Sequence, residues 1–191
     1  MQEIKVWDLL VRILHWSLVA AVVGAWLTRD GEDPRHVQLG YAALSIVAIR
    51  IVWGFVGSRY ARFTDFVHSP RATAAYLKDV ALHREPRHTG HNPLGGWMIM
   101  VLLATIAGIC ITGWLYTTDA FWGVAWVGET HEVLTDILIA LVALHILGVI
   151  FTSIRQRENL VMAMITGKKK APETAAKMEQ TIARDVSVSK G

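Results

Sequence analysis

The chain has 191 residues, of which 53% are hydrophobic and 18% are charged, with eight tryptophans and a formal net charge of +3. This composition excludes an ordinary soluble domain and indicates an integral membrane protein in contact with lipid. The basic residues flank apolar stretches and do not form one basic face, which argues against a nucleic-acid partner. The single cysteine, Cys110, lies in an apolar segment and excludes an intramolecular disulfide.

Four apolar segments are long enough to cross the hydrocarbon core of a bilayer, which takes roughly 20 residues. They lie at about residues 7–28, 37–56, 94–117 and 133–154. The first is longer than the apolar core of a signal peptide and no clear small-residue cleavage pattern follows it, so we expect it to be retained. The predicted fold is all-α, an integral membrane four-helix bundle at 1–166 with a connecting loop at 57–93 and a polar tail at 167–191.

The distribution of lysine and arginine predicts the orientation of the bundle. The start of the chain, the 57–93 loop and the tail are rich in these residues, whereas the opposite side carries Arg29 and Arg35. By the positive-inside rule, both termini, the loop and the tail should face the cytoplasm, and the opposite side should face the periplasm. The loop is also expected to include a helix lying in the membrane interface.

Four histidines lie within or beside the apolar segments: His15, His36, His131 and His145. An ionisable side chain at membrane depth is costly and indicates a functional site. Fourteen residues separate His131 from His145, which in a helix is a rise of ~21 Å with a return to nearly the same face. We therefore predict that the bundle binds two haems in its core, each between two imidazoles. The absence of a C-x-x-C-H motif means that such haems would be bound non-covalently.

The predicted topology decides which histidines form pairs. His15 lies about eight residues into the first segment and His145 lies ten residues before Arg155, so both should be ~12–15 Å from the cytoplasmic ends of their helices. His36 and His131 begin the second and fourth segments on the periplasmic side. The expected pairs are therefore His15 with His145 and His36 with His131.

Two glycines lie about one helical turn after predicted ligands. Gly40 follows His36, and Gly148 follows His145. A missing side chain on the face that bears the ligand leaves room for a flat macrocycle, so both positions are candidates for close packing against a haem.

Two arginines are candidates for pairing with the propionate carboxylates of a haem. Arg50 follows His36 by fourteen residues, which places it on the same helical face at the depth of the cytoplasmic pair. Arg12 precedes His15 by about one turn. The alternative for both is that the side chains extend to the lipid headgroups at the cytoplasmic surface.

Several motifs together resemble those of a known family. They are R-I-L-H-W from Arg12, H-V-Q-L-G-Y from His36, Arg50 ahead of W-G-F-V-G, A-R-F-T-D-F from Ala61, G-H-N-P-L-G from Gly90, the His131 to His145 pair and M-I-T-G-K from Met164. Over roughly residues 1–170 the chain resembles the bacterial cytochrome b561 family, especially the cytochrome b subunits of nickel-iron hydrogenases. The resemblance implies a di-haem b-type cytochrome in the plasma membrane that passes electrons between a quinone pool and a redox partner protein. The matching ligands are His15, His36, His131 and His145.

One further histidine, His91, stands in the G-H-N-P-L-G match at the start of the third segment. It could compete as a ligand for the cytoplasmic haem, contact a quinone or a propionate, or be only a polar residue at the beginning of a helix. His68, His83 and His88 lie in the polar basic loop and are interpreted as solvated surface residues.

The predicted function is electron transfer, because two axial imidazoles leave no open position on iron for a substrate. By analogy with the family, the partner would be a protein such as a hydrogenase or a c-type cytochrome, and lipid surrounds the bundle. Two other functions are left open: a quinone-coupled oxidoreductase acting on a small oxidant or superoxide, and a non-haem membrane anchor whose histidines only join helices. Whether the protein is a homodimer is also left open.

Overall fold

The computed structural model describes residues 3–29 and 33–170. Four long helices carry the four candidate membrane spans: α1 (Leu9–Leu27), α2 (Pro34–Val56), α5 (Pro93–Tyr116) and α6 (Ala125–Gln156). The smaller elements are β1 (Glu3–Lys5), α3 (Phe63–Phe66), α4 (Pro70–Ala81), α7 (Leu160–Thr166) and β2 (Lys168–Lys170). The predicted all-α fold with four membrane helices is confirmed. The tail predicted at 167–191 begins later than expected, because Lys168–Lys170 pair with β1 as β2; the remainder, 171–191, lies outside the described residues.

Side-chain caps explain where three of the long helices begin. Asp8 accepts a hydrogen bond from the backbone N–H of Val11 at the start of α1, and Asn92 accepts one from Gly95 at the start of α5. Asp33 caps α2 through the N–H of Arg35. An oxygen at this position satisfies one of the backbone N–H groups that have no partner in the first turn.

The fourth long helix, α6, begins at Ala125 and not near residue 133 as the apolar pattern predicts. The difference arises because the residues from 125 to 132 include Glu129 and Glu132, which are helix-compatible but too polar to count as part of a membrane span. As a result, His131 lies in the second turn of α6 and not at its first residue.

The long helices pack in the order α1, α2, α5, α6, while α1 and α6 make no extended contact with each other. One buried cluster joins α1, α2 and α5, and it includes Ala21, Ala43, Val47 and Cys110. On α6, the buried residues are Val127 and Leu138 alone. The outer helices α1 and α6 therefore flank the bundle interior without closing it.

The two ends of the described chain meet in a small structure that we call the terminal clasp, formed by β1, α7, β2 and the turn at Gly167. β1 and β2 pair in antiparallel fashion with Ile4 opposite Lys169. The N–H groups of Val6 and Trp7 both donate to the carbonyl of Gly167, at 2.8 and 3.1 Å. Gly167 has φ +82°, and a Cβ there would lie 2.6 Å from the carbonyl oxygen of Trp7, so only glycine fits without strain.

The clasp defines one end of the bundle, which we call the clasp end. The opposite end carries the α5–α6 connection at 117–124, and we call it the loop end, although the longer 57–93 loop lies at the clasp end. Two short helices of the 57–93 loop also lie at the clasp end. α3 contacts α2 and α5, and the carbonyl of Phe66 lies directly against Gly96. α4 packs against α5 with Tyr76 buried. The clasp end therefore carries the terminal clasp, α3 and α4 in addition to the ends of the long helices.

Candidate functional site

The structure brings His36 of α2 and His131 of α6 together at the loop end, with ring centres 6.1 Å apart and ring planes at 67°. The Nδ1 atom of His36 lies 2.9 Å from the carbonyl oxygen of Ala25, and that of His131 lies 3.0 Å from the carbonyl of Ile109. A carbonyl oxygen can only accept, so in both rings Nδ1 carries the proton and donates it. Each Nε2 therefore keeps a free lone pair.

This geometry fits two imidazoles on opposite sides of one metal. An imidazole nitrogen lies about 2 Å from a metal that it coordinates and the ring centre lies about 1 Å further on, so two opposed rings have centres about 6 Å apart. Ligating histidines also commonly donate their second N–H to a backbone carbonyl, which fixes the ring and its tautomer. Both features are present in His36 and His131.

Residues of α5 support the His131 ring and were not indicated by the sequence. The hydroxyl oxygen of Thr112 lies 3.2 Å from His131 Nδ1, while that hydroxyl donates to carbonyls of its own helix. A Cβ at Gly113 would lie only 3.1 Å from Cε1 of His131. The small residue at Gly113 therefore provides the space in which the ring lies. A histidine on one segment with a glycine on another is too weak a sequence pattern to have predicted this contact.

The second predicted pair, His15 of α1 and His145 of α6, lies at the clasp end. The two side chains are close enough to interact electrostatically, but they show no ring contact of the kind seen between His36 and His131. The His15 ring is perpendicular to Trp16 at 5.0 Å, and its Nδ1 is buried with no hydrogen-bond partner among the described residues. The pairing of His15 with His145 stays a prediction, since the two rings are not in direct contact as His36 and His131 are.

Open space lies beside both glycines that follow the histidines. A Cβ added at Gly40 or at Gly148 would meet no atom within 4 Å. Most helical glycines of this bundle, such as Gly24 and Gly108, would place a Cβ against a neighbouring side chain. The space beside Gly40 and Gly148 is thus consistent with the room that a planar cofactor requires.

Arg50 is buried, with 8% of its surface exposed, so its side chain does not extend to the lipid headgroups. One guanidinium nitrogen, Nη2, donates to the carbonyl of Ala61 at 3.1 Å, and the guanidinium lies 5.2 Å from the ring centre of Phe63. The other, Nη1, is buried without a partner in the described part of the chain. An unpaired buried N–H is costly, so this atom is suited to an anionic acceptor such as a carboxylate.

Arg12 is placed differently from Arg50. Its Nη1 donates to the carbonyl of Thr166 at 2.8 Å, which ties α1 to α7. The Nε of Arg12 is buried and has no hydrogen-bond partner among the described residues. The residue also lines a groove of about 350 Å³, together with Ile13, Trp16, Ser17 and Ile165. Arg12 therefore has a clear structural role in addition to its candidate role at a carboxylate.

His91 lies between two aromatic rings at the clasp end, with ring centres 4.4 Å from Trp7 and 4.8 Å from Phe66. Burial, followed by the positive charges of Lys169 and Arg50, lowers the pKa of His91 to about 3. Its imidazole is therefore neutral at physiological pH. Its Nδ1 has no partner among the described residues.

One edge of His91 faces a cavity of about 240 Å³ at the clasp end. The other lining residues are Arg59, Tyr60, Asp65, Phe66, His68, His88, Thr89 and Gly90. His68 and His88, interpreted from the sequence as solvated surface residues, thus lie at a shared cavity, with their rings 6.4 Å apart. Loop residues are hard to place from sequence because apolar periodicity gives no information about them.

The buried polar atoms that lack a partner in the described residues all lie at the clasp end. They are Arg12 Nε, His15 Nδ1, Arg50 Nη1, His91 Nδ1 and Gln156 Oε1. Such atoms are uncommon in native proteins and call for an acceptor or donor that the chain does not supply. Four of the five belong to positively charged or imidazole side chains, which suits the carboxylates of a haem.

Within residues 3–29 and 33–170, no three or more His, Cys, Asp or Glu side chains form a group that could hold a metal ion. A haem iron needs only two axial ligands from the protein, because the macrocycle supplies the other four nitrogens. Paired histidines inside a bundle of membrane helices are typical of a membrane cytochrome.

Comparison with known proteins agrees with this class. Residues 6–167 match the family model described as prokaryotic cytochrome b561, and the chain belongs to that family. Membership implies binding of haem b and a function in membrane electron transfer. No solved structure matches the chain at a significant level.

Two curated relatives are each described as a probable Ni/Fe-hydrogenase B-type cytochrome subunit. The protein from Bradyrhizobium diazoefficiens is 26% identical, and the alignment covers 87% of this chain and 85% of the relative. The protein from Rhizobium leguminosarum bv. viciae is 25% identical, with 88% of this chain and 89% of the relative covered. The similarity therefore extends over most of the length of all three proteins.

Proposed function

We propose that the protein is a di-haem cytochrome b that carries electrons across the bacterial plasma membrane between a quinone pool and a redox partner protein. The axial pairs are His36 with His131 at the loop end and His15 with His145 at the clasp end. The observation that carries the proposal is the proximity of His36 and His131, with ring centres 6.1 Å apart. Haem held by these histidines would supply one-electron chemistry.

The chain's own residues hold and orient the haems in this proposal. The carbonyls of Ala25 and Ile109 keep the Nδ1 protons of His36 and His131 in place, so each Nε2 is directed by a fixed tautomer. At the clasp end, the unpaired guanidinium atoms of Arg50 and Arg12 bind propionate carboxylates. The open space at Gly40 accommodates the macrocycle of the loop-end haem.

The clasp end faces the cytoplasm in this proposal. β2 consists of three lysines, and Arg59, Arg62 and Arg87 lie in the loop at the same end. Lysine and arginine near the ends of membrane helices are retained on the cytoplasmic side. Haems held by the two histidine pairs would carry electrons between the periplasmic loop end and the cytoplasmic clasp end. The fourteen residues from His131 to His145 correspond to a helical rise of ~21 Å between these two ends of the site.

The cavity beside His91 is the proposed contact site for the quinone headgroup. Phe66 provides an aromatic wall, and the neutral imidazole of His91 has a ring nitrogen without a partner in the described residues. Quinone carbonyl oxygens accept hydrogen bonds, and the cavity also carries the hydroxyls of Tyr60 and Thr89. Replacing His91 by glutamine should reduce quinone reduction while both haems remain bound.

The redox partner is proposed to be a hydrogenase, on the basis of the two relatives that are described as hydrogenase cytochrome subunits. A c-type cytochrome is the alternative partner. Co-purification of the protein with tagged candidate partners, followed by haem reduction when the partner is reduced, distinguishes the two.

The central experiment is haem stoichiometry with reduced-minus-oxidised spectra for the alanine variants of His15, His36, His131 and His145. The variants of His15 and His145 should lose one haem spectrum, and those of His36 and His131 should lose the other. His83→Ala is a matched control, because His83 is an exposed loop residue. Purified protein without b-type bands would contradict the proposal and leave only a membrane anchor. Loss of the same haem on replacing His15 and His36 would contradict the pairing.

A further inference from the structure

The motif M-I-T-G-K at the end of the bundle has no role in the haem pairing described above, yet the structure gives it a defined position. Met164 to Thr166 end α7, Gly167 makes the turn and Lys168 starts β2. The side chains of a strand alternate between its two faces. Lys168 and Lys170 are accordingly exposed, whereas Lys169 between them is buried with 6% of its surface exposed.

Lys169 is directed toward the interior of the clasp end. Its Nζ donates to the carbonyl of Thr89 at 3.0 Å and lies 5.9 Å from the ring centre of Trp7. The same Trp7 ring packs against His91 with ring planes tilted by 42°, and the charge of Lys169 also acts on His91. His91 in turn interacts electrostatically with His15 and His145. Lys169 therefore acts on His91, and His91 interacts with both histidines of the clasp-end pair, His15 and His145.

The positive charge of Lys169 is not neutralised by a direct ion pair among the described residues. The carboxylate that acts on it is Glu158, which also pairs with Arg87 at 3.1 Å and accepts the backbone N–H of Lys170 at 2.7 Å. Asp8, the carboxylate that acts on Arg50, is hydrogen-bonded to Ser58 and Trp53. The clasp end thus has a buried excess of positive charge on its inner side.

We propose that Lys169, held in place by the terminal clasp, is a positioned charge that raises the reduction potential of the clasp-end haem. The inference rests on the proposed function, since it requires a haem between His15 and His145. Reduction of ferric haem lowers the charge of the site by one unit, so a nearby cation stabilises the reduced form. In a poorly solvated region this electrostatic interaction is weakly screened, so it extends beyond the side chains in direct contact with Lys169.

The test is a redox titration of the full chain carrying His131→Ala, in which only the clasp-end haem remains. Adding Lys169→Met should lower the reduced-to-oxidised ratio at a fixed ambient potential at least threefold, which for a one-electron couple is about 30 mV. Lys169→Arg, which keeps the charge, should retain most of the potential. Lys168→Met is the matched control, because Lys168 is exposed on the same strand and pairs with Glu3; it should leave the potential unchanged.

An unchanged potential in Lys169→Met, or an equal shift in Lys168→Met, would overturn the inference. If the methionine variant binds no haem, Lys169→Gln, which keeps a donor for the Thr89 carbonyl, is measured in its place. Loss of haem from both variants would show that Lys169 is structural and would also overturn the inference. These outcomes differ from failure of the proposed function, in which the His131→Ala protein itself has no haem.

Discussion

Trp7 and His91 pack against each other with ring centres 4.4 Å apart and ring planes tilted by 42°, which joins the segment before the first membrane helix to the segment before the third. Trp7 is 6% exposed and is packed in a cluster with Val6 and Ala163 of α7. The neutral state of His91 therefore depends on a wall that the N-terminal segment provides. Conditions that open the clasp should expose His91 to water and allow it to take up a proton.

The burial of His91 predicts a defined pH dependence of stability. The pKa of His91 is about 3 in the folded protein and near 6.5 in the unfolded protein. Below pH 6.5 the unfolded state therefore binds a proton that the folded state does not. As a result, the free energy of unfolding decreases as the pH is lowered. Between pH 8 and pH 5.5 the contribution of His91 is a loss of about 1.4 kcal/mol. Thermal unfolding in detergent at both pH values should show a smaller loss in His91→Gln. An equal loss in the two proteins would contradict the burial of His91.

The turn of the clasp predicts a difference between two glycines that both have positive φ. Gly167→Ala places a Cβ 2.6 Å from the carbonyl oxygen of Trp7, whereas Gly123→Ala meets nothing within 4 Å. Left-handed backbone alone costs an alanine about 1–2 kcal/mol, and the clash should add about 1–3 kcal/mol at Gly167. Unfolding midpoints of the two variants measure the difference. Equal destabilisation would mean that the clasp can shift without cost.

The position of Gly113 predicts selective loss of one haem. Gly113→Val forces atoms into the His131 ring, because a Cβ there already lies 3.1 Å from Cε1. We expect the loop-end haem to be lost and the clasp-end haem to be kept in the visible spectrum. Gly108→Val is the control, since its Cβ meets only Cδ1 of Leu134, the far end of a flexible side chain. A full complement of haem in Gly113→Val would show that the ring has room to move.

The open space at Gly40 predicts an effect on haem content without an effect on the fold. Gly40→Leu adds a side chain where no atom lies within 4 Å, so the helices themselves need not move. If a macrocycle uses this space, the ratio of haem to protein should fall to about half with helix content by circular dichroism unchanged. Gly40→Ala, with a single added carbon, should keep more haem. An unchanged ratio in the leucine variant would remove Gly40 from the site.

The sequence predicts the membrane helices well, because the thickness of the bilayer fixes how many apolar residues each one needs. The apolar pattern does not predict the beginning of α6, because the first turns from Ala125 are helical but lie outside the apolar stretch that spans the bilayer. The partners of the histidines are harder to predict. Ala25 and Ile109 contribute backbone carbonyls, whose direction depends on how neighbouring helices rotate and not on residue type.

The terminal clasp was not predicted because its strands have only three residues each and pair across nearly the whole chain. Three successive lysines in β2 show no alternation of polar and apolar residues, although Lys169 is buried as an apolar residue would be. Periodicity therefore gave no signal for a strand there. The motif at Met164 indicated that the segment resembles a family but not what it does.

The pairing of β1 with β2 also has a consequence for the order of assembly. The ribosome makes β1 before any of the membrane helices and β2 after all of them, so the sheet has no second strand until α6 has been synthesised. Until that moment Trp7 has no partner strand to hold it over His91, and the clasp end stays accessible from the aqueous side. The clasp end can therefore close only after α6 has been made, so it is open to the aqueous side while the four described membrane helices are synthesised.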